Sequence, residues 1–399
     1  MPYAIIRPMR PLRKVLLLTS TRLHLWYPEL VAFARSNRWA LSVVERYNPP
    51  RNWQGDGVLA MQLELPDMRP TARWIARRSL PVVNISDTWA QCPHPTFGTD
   101  LSAAIRLATR HLRETGYRNL AVYASGSNPA YDEFLRQARE SWTGQPPDDW
   151  IFRHGQKDGT LPSVHEHDRL LRHLKSAPKP IAVLAFNDYL AAQVEDACLE
   201  LGLPVPSDVA IVGLSGIPIY SELAPIPITT VVPDRARIIR KAAEALDAIM
   251  DGKRIASTVT SIPPKELVIR QSTDGIAIQD AELRAAFRDA TADLSVPFNF
   301  PAASPNNRIR LNRKAQEEFG LSFKALVLNA KLHHARTLLV TTNDKIDSIA
   351  RDCSFCNASY FIKTFVEQFG LTPSEYRRHI KKPFPSGSSH LQRRYRRDR

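Results

Sequence analysis

The sequence predicts an α/β domain of two lobes followed by an all-α domain, on three observations. Short β-branched runs alternate with amphipathic stretches from Lys14 to about residue 250. Beyond IPPKELVIRQSTDG the strand runs stop and only helical periodicity continues. The basic charge is concentrated behind that change: residues 281–399 hold 21 Lys and Arg against 11 Asp and Glu, which is +10 of the chain's net +14. At 399 residues the chain also exceeds what one hydrophobic core usually organises.

The runs VLLLTS, ALSVVER, GVLAM, PVVNIS, NLAVYAS, IAVLAFND and VAIVGLSG read as buried strands, each ending in turn residues. Between them, LSAAIRLATRHLRETG keeps Ile105, Ala108 and Leu112 at helical spacing and stops at Gly116. Alternation of this kind argues for parallel sheets with helices on both faces. Its length fits two lobes in tandem, dividing near residues 120 and 230. The expected boundaries are 12–270 for the α/β domain, with the change of character near Ser272, then 271–280 for a linker, 281–383 for the helical domain and 384–399 for a disordered basic tail.

The N-terminus is basic and then apolar, but the apolar run spans only Val15 to Leu18. That is strand length, too short for a secretory signal core or a membrane span. Cys92, Cys198, Cys353 and Cys356 are too few and too scattered to staple a chain of this size, which fits a reducing, cytoplasmic setting. The concentrated positive charge suits a polyanion, whose counterions are released on binding, and it equally suits a solvated surface with a basic tail.

In the helical part, Leu321 to Leu339 repeats apolar residues on one face and reads as a long scaffold helix. After the polar break TTND come a short helix, Lys345 to Asp352, a tight SFCN connection and a second helix, Ala358 to Phe369, closed by Gly370. Two short helices so joined are either an ordinary helical hairpin or a helix-turn-helix, whose second helix meets base edges. Phe361 and Phe365, four apart, would pin that helix inward. Asn357, Ala358, Ser359, Ile362 and Lys363 then fall on its outer face. Such a mix can hydrogen-bond bases, pack on a thymine methyl and reach guanine or phosphate.

The segment from Thr341 to Ile380, with its SYF core, FGLTP closure and YRR ending, resembles the second helix-turn-helix of the arabinose-regulator (AraC-type) family. The resemblance implies two helix-turn-helix units joined by one long helix and entering successive major grooves. NRIRLNRKAQEEFG, Asn307 to Gly320, is similar to the family's first recognition helix, which implies that Ile309, Arg310, Asn312 and Arg313 face DNA. Two departures stand out. VPFNFPAASPN, where the preceding helix belongs, holds Pro297, Pro301 and Pro305, and Ala315 stands where a phenylalanine is usual. An interior proline removes a helix hydrogen bond, so a distorted or weakened first unit is expected.

FGTDLSAAIRLATRHLRETGYRNLAVY, NDYLAAQVEDACLELGLPVPSDVAIVGLSG and PITTV resemble the ligand domains of lactose-repressor-type regulators, which share the fold of periplasmic sugar-binding proteins. Such a sensor on an AraC-type reader is the architecture of bacterial xylose regulators, and PPKELVIRQSTD resembles their junction. The implied whole is a two-lobed periplasmic-binding-protein-like sensor followed by a double helix-turn-helix DNA-binding domain. Double-stranded DNA, a sugar effector such as xylose, a homodimer and RNA polymerase are its expected partners, with no cofactor and no membrane. Asp100 and Asp188 are the candidate sugar ligands, although Asp188 reads equally as a helix N-cap after IAVLAF. Ser215 stands where the family usually has an acidic ligand residue, and no arginine aligns near Tyr131. Trp26, Trp89 and Tyr220 can stack on a sugar or simply fill core.

CSFC, Cys353 to Cys356, has no second pair to complete a metal site, and HEH at His165 to His167 reads as a solvated loop. No phosphate loop or nucleophile elbow occurs. A ligand-gated regulator is therefore expected. The alternatives are a constitutive DNA binder with a vestigial sensor and an enzyme fused to an AraC-type module.

Overall fold

The computed structural model describes residues 11–19, 27–45, 52–63, 68–86, 92–126, 130–143, 145–153, 164–298, 300 and 305–380. The chain divides into two compact units between Ala277 and Ile278.

The first unit begins with β1 (Arg13–Thr19), α1 (Tyr27–Ser36), β2 (Trp39–Glu45), β3 (Gly57–Met61), α2 (Arg69–Ala76), β4 (Val82–Ile85) and β5 (Thr96–Thr99). At Asp100 it crosses to a second lobe made of α3 (Leu101–Glu114), β6 (Asn119–Gly126), α4 (Tyr131–Ser141), β7 (Asp148–Arg153), α5 (Val164–Ser176), β8 (Ile181–Ala185), α6 (Asp188–Glu200), β9 (Val209–Gly213), α7 (Pro218–Ser221) and β10 (Thr229–Val232). It returns through α8 (Arg235–Met250) and β11 (Val259–Ile262), then crosses again into β12 (Glu266–Val268).

The two sheets run β11-β5-β4-β3-β1-β2 and β12-β10-β9-β8-β6-β7. Every pairing is parallel except β10 with β12. All five residues of β3, β8 and β9 are buried, as apolar runs between two helical layers require. In both sheets the order reverses beside the first strand of the lobe, β1 or β6. Open α/β sheets place ligands outside the carboxyl ends of strands at such a point.

The first crossing falls at Asp100 and not near residue 120, because Leu101, Ile105, Ala108 and Leu112 of α3 pack in the second lobe's core. Residues 271–277, expected as linker, also belong to that lobe. Ser272 Oγ accepts from Thr229 N at 2.8 Å and donates to Ile211 O at 2.6 Å, and Ala277 is buried in the lobe's core. Gly116, at φ +92, lets the chain pass within van der Waals range of Ala277.

The second unit is helical: α9 (Ala281–Thr291), α10 (Pro305–Phe319), α11 (Phe323–Thr341), α12 (Ile346–Asp352), α13 (Ala358–Phe369) and α14 (Pro373–Ile380). Asp280 caps α9 and Ser322 caps α11, each side chain accepting from the backbone N–H three residues on. The expected basic tail, 384–399, lies outside the described residues. Among the described residues no helix is long and apolar enough to cross a membrane.

Candidate nucleic-acid interface and effector cleft

The second reading unit is α12, a five-residue turn and α13. Ile349 and Ala350 of α12 and Phe361 and Phe365 of α13 are buried in one cluster with Leu332, Ala335 and Leu339 of α11. A chain of rings runs through it: Phe355 to Phe361 at 5.0 Å, Phe361 to Phe365 at 5.5 Å and Phe365 to Phe369 at 4.5 Å. Offset and edge contacts at these distances add to area burial and fix the helix's rotation about its axis. Gly370 ends α13 in the left-handed region at φ 73, where a side chain is disfavoured.

With that rotation fixed, Ser359, Ile362 and Lys363 are exposed together, and Lys363 lies only 4.0 Å from Glu367. Ala358 is half-buried against the core, so its share of the outer face is small. Asn357 is exposed but serves as the N-cap, its Oδ1 accepting from Tyr360 N at 2.8 Å. Its Nδ2 donates to the neighbouring Cys356 Sγ at 3.6 Å. Tyr360 and Val366 are exposed as well, an extension of the face beyond the expected residues.

The first unit repeats this plan fifty positions earlier, with Leu311 and Ala315 buried four apart and Gly320 closing α10 at φ 68. Pro305 does not break this helix: it is the first helical residue, where the missing N–H has no intrahelical partner to lose. Ahead of it, the described part of 292–304 contains no helix. Phe298 and Phe300 instead pack on Phe323 at 5.9 and 5.7 Å.

Of the four residues expected to face DNA here, Ile309 is 68 % exposed and Arg313 is exposed beside Glu317. Asn312 is a correction. Its Oδ1 accepts from Phe323 N at 3.0 Å, so it is half-buried and helps start α11. Arg310 is turned to Asn307 and Glu282. Lys314 shares Glu282 with it at 2.9 Å and reaches Asp280 at 2.7 Å.

In the sensor, Asp188 is a second correction. It is 0 % exposed, with Oδ1 accepting from Thr230 Oγ1 at 2.5 Å and Ser215 N at 3.2 Å, and Oδ2 from Ile217 N at 2.5 Å. Burial pushes its carboxyl above the usual range, with those donors pulling the other way. The carboxylate thus clamps the turn after β9 to β10 rather than facing a ligand. The N-cap of α6 is the neighbouring Asn187. Ser215 is drawn into the clamp, its Oγ accepting from Asp188 N at 2.9 Å. Asp100 caps α3 through Ala103 N at 2.8 Å, at the crossing between lobes. Trp26 and Trp89 lie outside the described residues. Tyr220 packs edge-on against Tyr189 at 5.4 Å, and Tyr131 packs on Phe186 at 5.0 Å beside the end of β8.

The HEH triplet is helical, not a loop. It lies in α5, with Glu166 buried on Ser125 Oγ at 2.9 Å and His167 paired with Glu200 at 2.7 Å. Cys353 is buried in the reader core, which pushes its thiol up to about 12, whereas Cys356 is exposed. No group of three His, Cys, Asp or Glu able to hold a metal occurs among the described residues.

Residues 109–273 match the periplasmic binding protein-like domain, and residues 306–379 match a helix-turn-helix domain. The xylose operon regulatory protein of Escherichia coli K12 is 24% identical over 364 residues, covering 86% of this chain and 90% of its own. The chain is an AraC-type transcription regulator with a periplasmic-binding-protein-like sensor domain. The xylose operon regulatory protein of Haemophilus influenzae is 23% identical over 342 residues, covering 81% and 84%. The HTH-type regulator DegA of Bacillus subtilis is 30% identical over 223 residues, covering 55% of the regulator and 64% of itself. Among solved structures, the xylose-binding transcription activator xylR superposes with a TM-score of 0.71 at 20% identity, covering 93% of this chain and 99% of that one. The relatives compared are transcription regulators, and the helix-turn-helix match places a DNA-binding domain at the end of this chain.

Sequence reasoning about the regulator missed Tyr360 and Val366, three residues before and three after Lys363. Winding α13 at 3.6 residues per turn from the buried Phe361 and Phe365 finds Val366. Tyr360 was read only as part of the SYF motif and was placed on neither face.

Proposed function

We propose that the regulator reads DNA chiefly through α13, with Ser359, Ile362, Lys363 and the amide of Asn357 meeting base edges and Ile309 and Arg313 of α10 contributing flanking contacts. The observation that carries this is the fixed rotation of α13, with Phe361 and Phe365 buried and its polar side exposed. Selection from a random duplex library with the full chain tests it. A defined motif is expected, with affinity well above that for scrambled duplex at physiological salt. Lys363→Ala is then expected to weaken the selected site by about 1–3 kcal/mol if the ammonium meets a base. A uniform loss on all sequences, with a shallower salt slope, assigns it to phosphate.

The effector we propose is a sugar of the xylose class, bound in the crevice at the carboxyl ends of β1, β3, β6 and β8. The xylose operon relatives and the strand order support it. Thermal-shift titration with xylose, arabinose, ribose and glucose tests it, since stabilisation grows with ligand concentration. One observation favours the constitutive reading instead: Asp188 is fully engaged and Ser215 replaces a carboxylate, so neither supplies the expected acidic ligand. No shift with any sugar supports that reading.

A homodimer fits the exposed apolar pair Ile219 and Leu223, 60 % and 77 % exposed around α7. Sedimentation of wild type against Leu223→Asp tests it. Action at a promoter in the cytoplasm would make RNA polymerase a further partner, which transcription from the selected site in vitro reads directly.

A further inference from the structure

The side chain of Lys331, midway along α11, is 6 % exposed and points at neither solvent nor a carboxylate. Its Nζ donates to Ser354 Oγ and, at 3.3 Å, to the carbonyl of Val296. Ser354 Oγ donates to the same carbonyl at 2.9 Å. Three segments meet there. Val296 belongs to the segment between α9 and α10, whose described residues form no helix. Lys331 belongs to the helix joining the units. Ser354 is the turn residue between α12 and α13, held at φ 49, a backbone region that ordinary side chains avoid. Burial lowers the ammonium's pKa, and a buried ammonium is costly unless its N–H groups are hydrogen-bonded, as these are.

We propose that Lys331 is a positioning residue for DNA reading: it braces the turn at Ser354 against Val296 and so sets the angle at which α13 is presented. It touches no base. The same contact makes the segment at Val296 a strut for the second unit, a role for this part of the first unit that does not depend on reading bases.

The inference rests on the second unit being the reader, and the experiment separates the two. Full-length wild type is first used to select a motif from random duplex. If nothing is enriched, the reading of α13 fails and the inference with it. With a motif in hand, Lys331→Met, Lys331→Arg and Ser354→Gly are compared on the selected and a scrambled duplex across a salt series. Ser354→Gly removes the hydroxyl while easing the backbone, so it keeps the test informative if Lys331→Met fails to fold. Lys331→Met and Ser354→Gly are expected to lower the ratio of specific to non-specific affinity about tenfold, with the scrambled-duplex salt slope unchanged and Lys331→Arg restoring much of the ratio. If Ser354→Gly keeps the wild-type ratio, or Lys331→Met loses both affinities in parallel with a shallower slope, Lys331 is a structural or phosphate-contacting residue and the inference falls.

Discussion

Thr273 Oγ1 lies 2.8 Å from Nε2 of His111 and 2.7 Å from Thr229 Oγ1, so the last turn of the sensor is hydrogen-bonded to both α3 and β10. Thr273 is buried, and so are its partners. Thr273→Val keeps the shape and removes one buried hydrogen bond each from His111 Nε2 and from Thr229 Oγ1, which keeps its bonds to Arg270. The expected cost is about 1–3 kcal/mol. Urea unfolding of the full chain checks it, and a variant as stable as wild type would show that the network contributes nothing net.

Asp280 carries a pH dependence in the reader. The hydrogen bond from Lys314 holds its carboxyl below the ordinary 3.8, with the N–H of Leu283 adding to the effect. A depressed folded pKa means the stabilisation is fully present above about pH 4 and is lost as pH falls through the lower folded value. Asp280→Asn should flatten that acid arm and retain the N-cap, whereas Asp280→Ala should also lose about 1 kcal/mol at neutral pH. Melting temperatures between pH 3 and 7, on the order of half a unit apart, distinguish the two.

The two units should respond differently to substitution. Ser359→Ala and Ile362→Ala are expected to change which bases are preferred, because each side chain stands on the exposed face of α13. Arg310→Ala should leave base preference unchanged, since its guanidinium is occupied by Glu282 and Asn307. Asn312→Ala should cost stability without altering the motif, because it removes the cap on Phe323 N. Repeating the duplex selection with each variant reads all four. A new preference from Arg310→Ala would place α10 among the base readers.

Phe365 is fully buried and touches Phe361, Phe369 and Tyr376. Phe365→Ala is expected to cost about 3–5 kcal/mol, the range for emptying an aromatic core site. Specific DNA binding should vanish while the sensor's own unfolding transition stays in place. Two transitions followed by circular dichroism provide the check.

Much of this was legible in the residues. The seven strands read from apolar runs fall on β1, β2, β3, β4, β6, β8 and β9, six of them because strands inside a sheet covered by helices carry nearly unbroken apolar sequence and β2, an edge strand with Val43 exposed, because its own run is apolar. Edge strands such as β7 and β12 escaped, being half-exposed and mixed in composition. The bounds of α12 and α13 were fixed by a polar break and by Gly370. Pro305 was misread because a proline's effect depends on whether it sits first or inside a helix, which composition does not reveal. Asp188 was ambiguous for a similar reason: its partners, Thr230, Ser215 and Ile217, lie 27 to 42 positions away and meet only when β9 and β10 pair.

The strand orders carry one more consequence. The chain passes between lobes at Asp100, again before α8 and a third time after Ile262, and an odd number of passages leaves the exit on the lobe opposite β1. The helical domain is therefore joined in sequence to the second lobe alone, through β12 and the residues up to Ala277 that pack in that lobe's core.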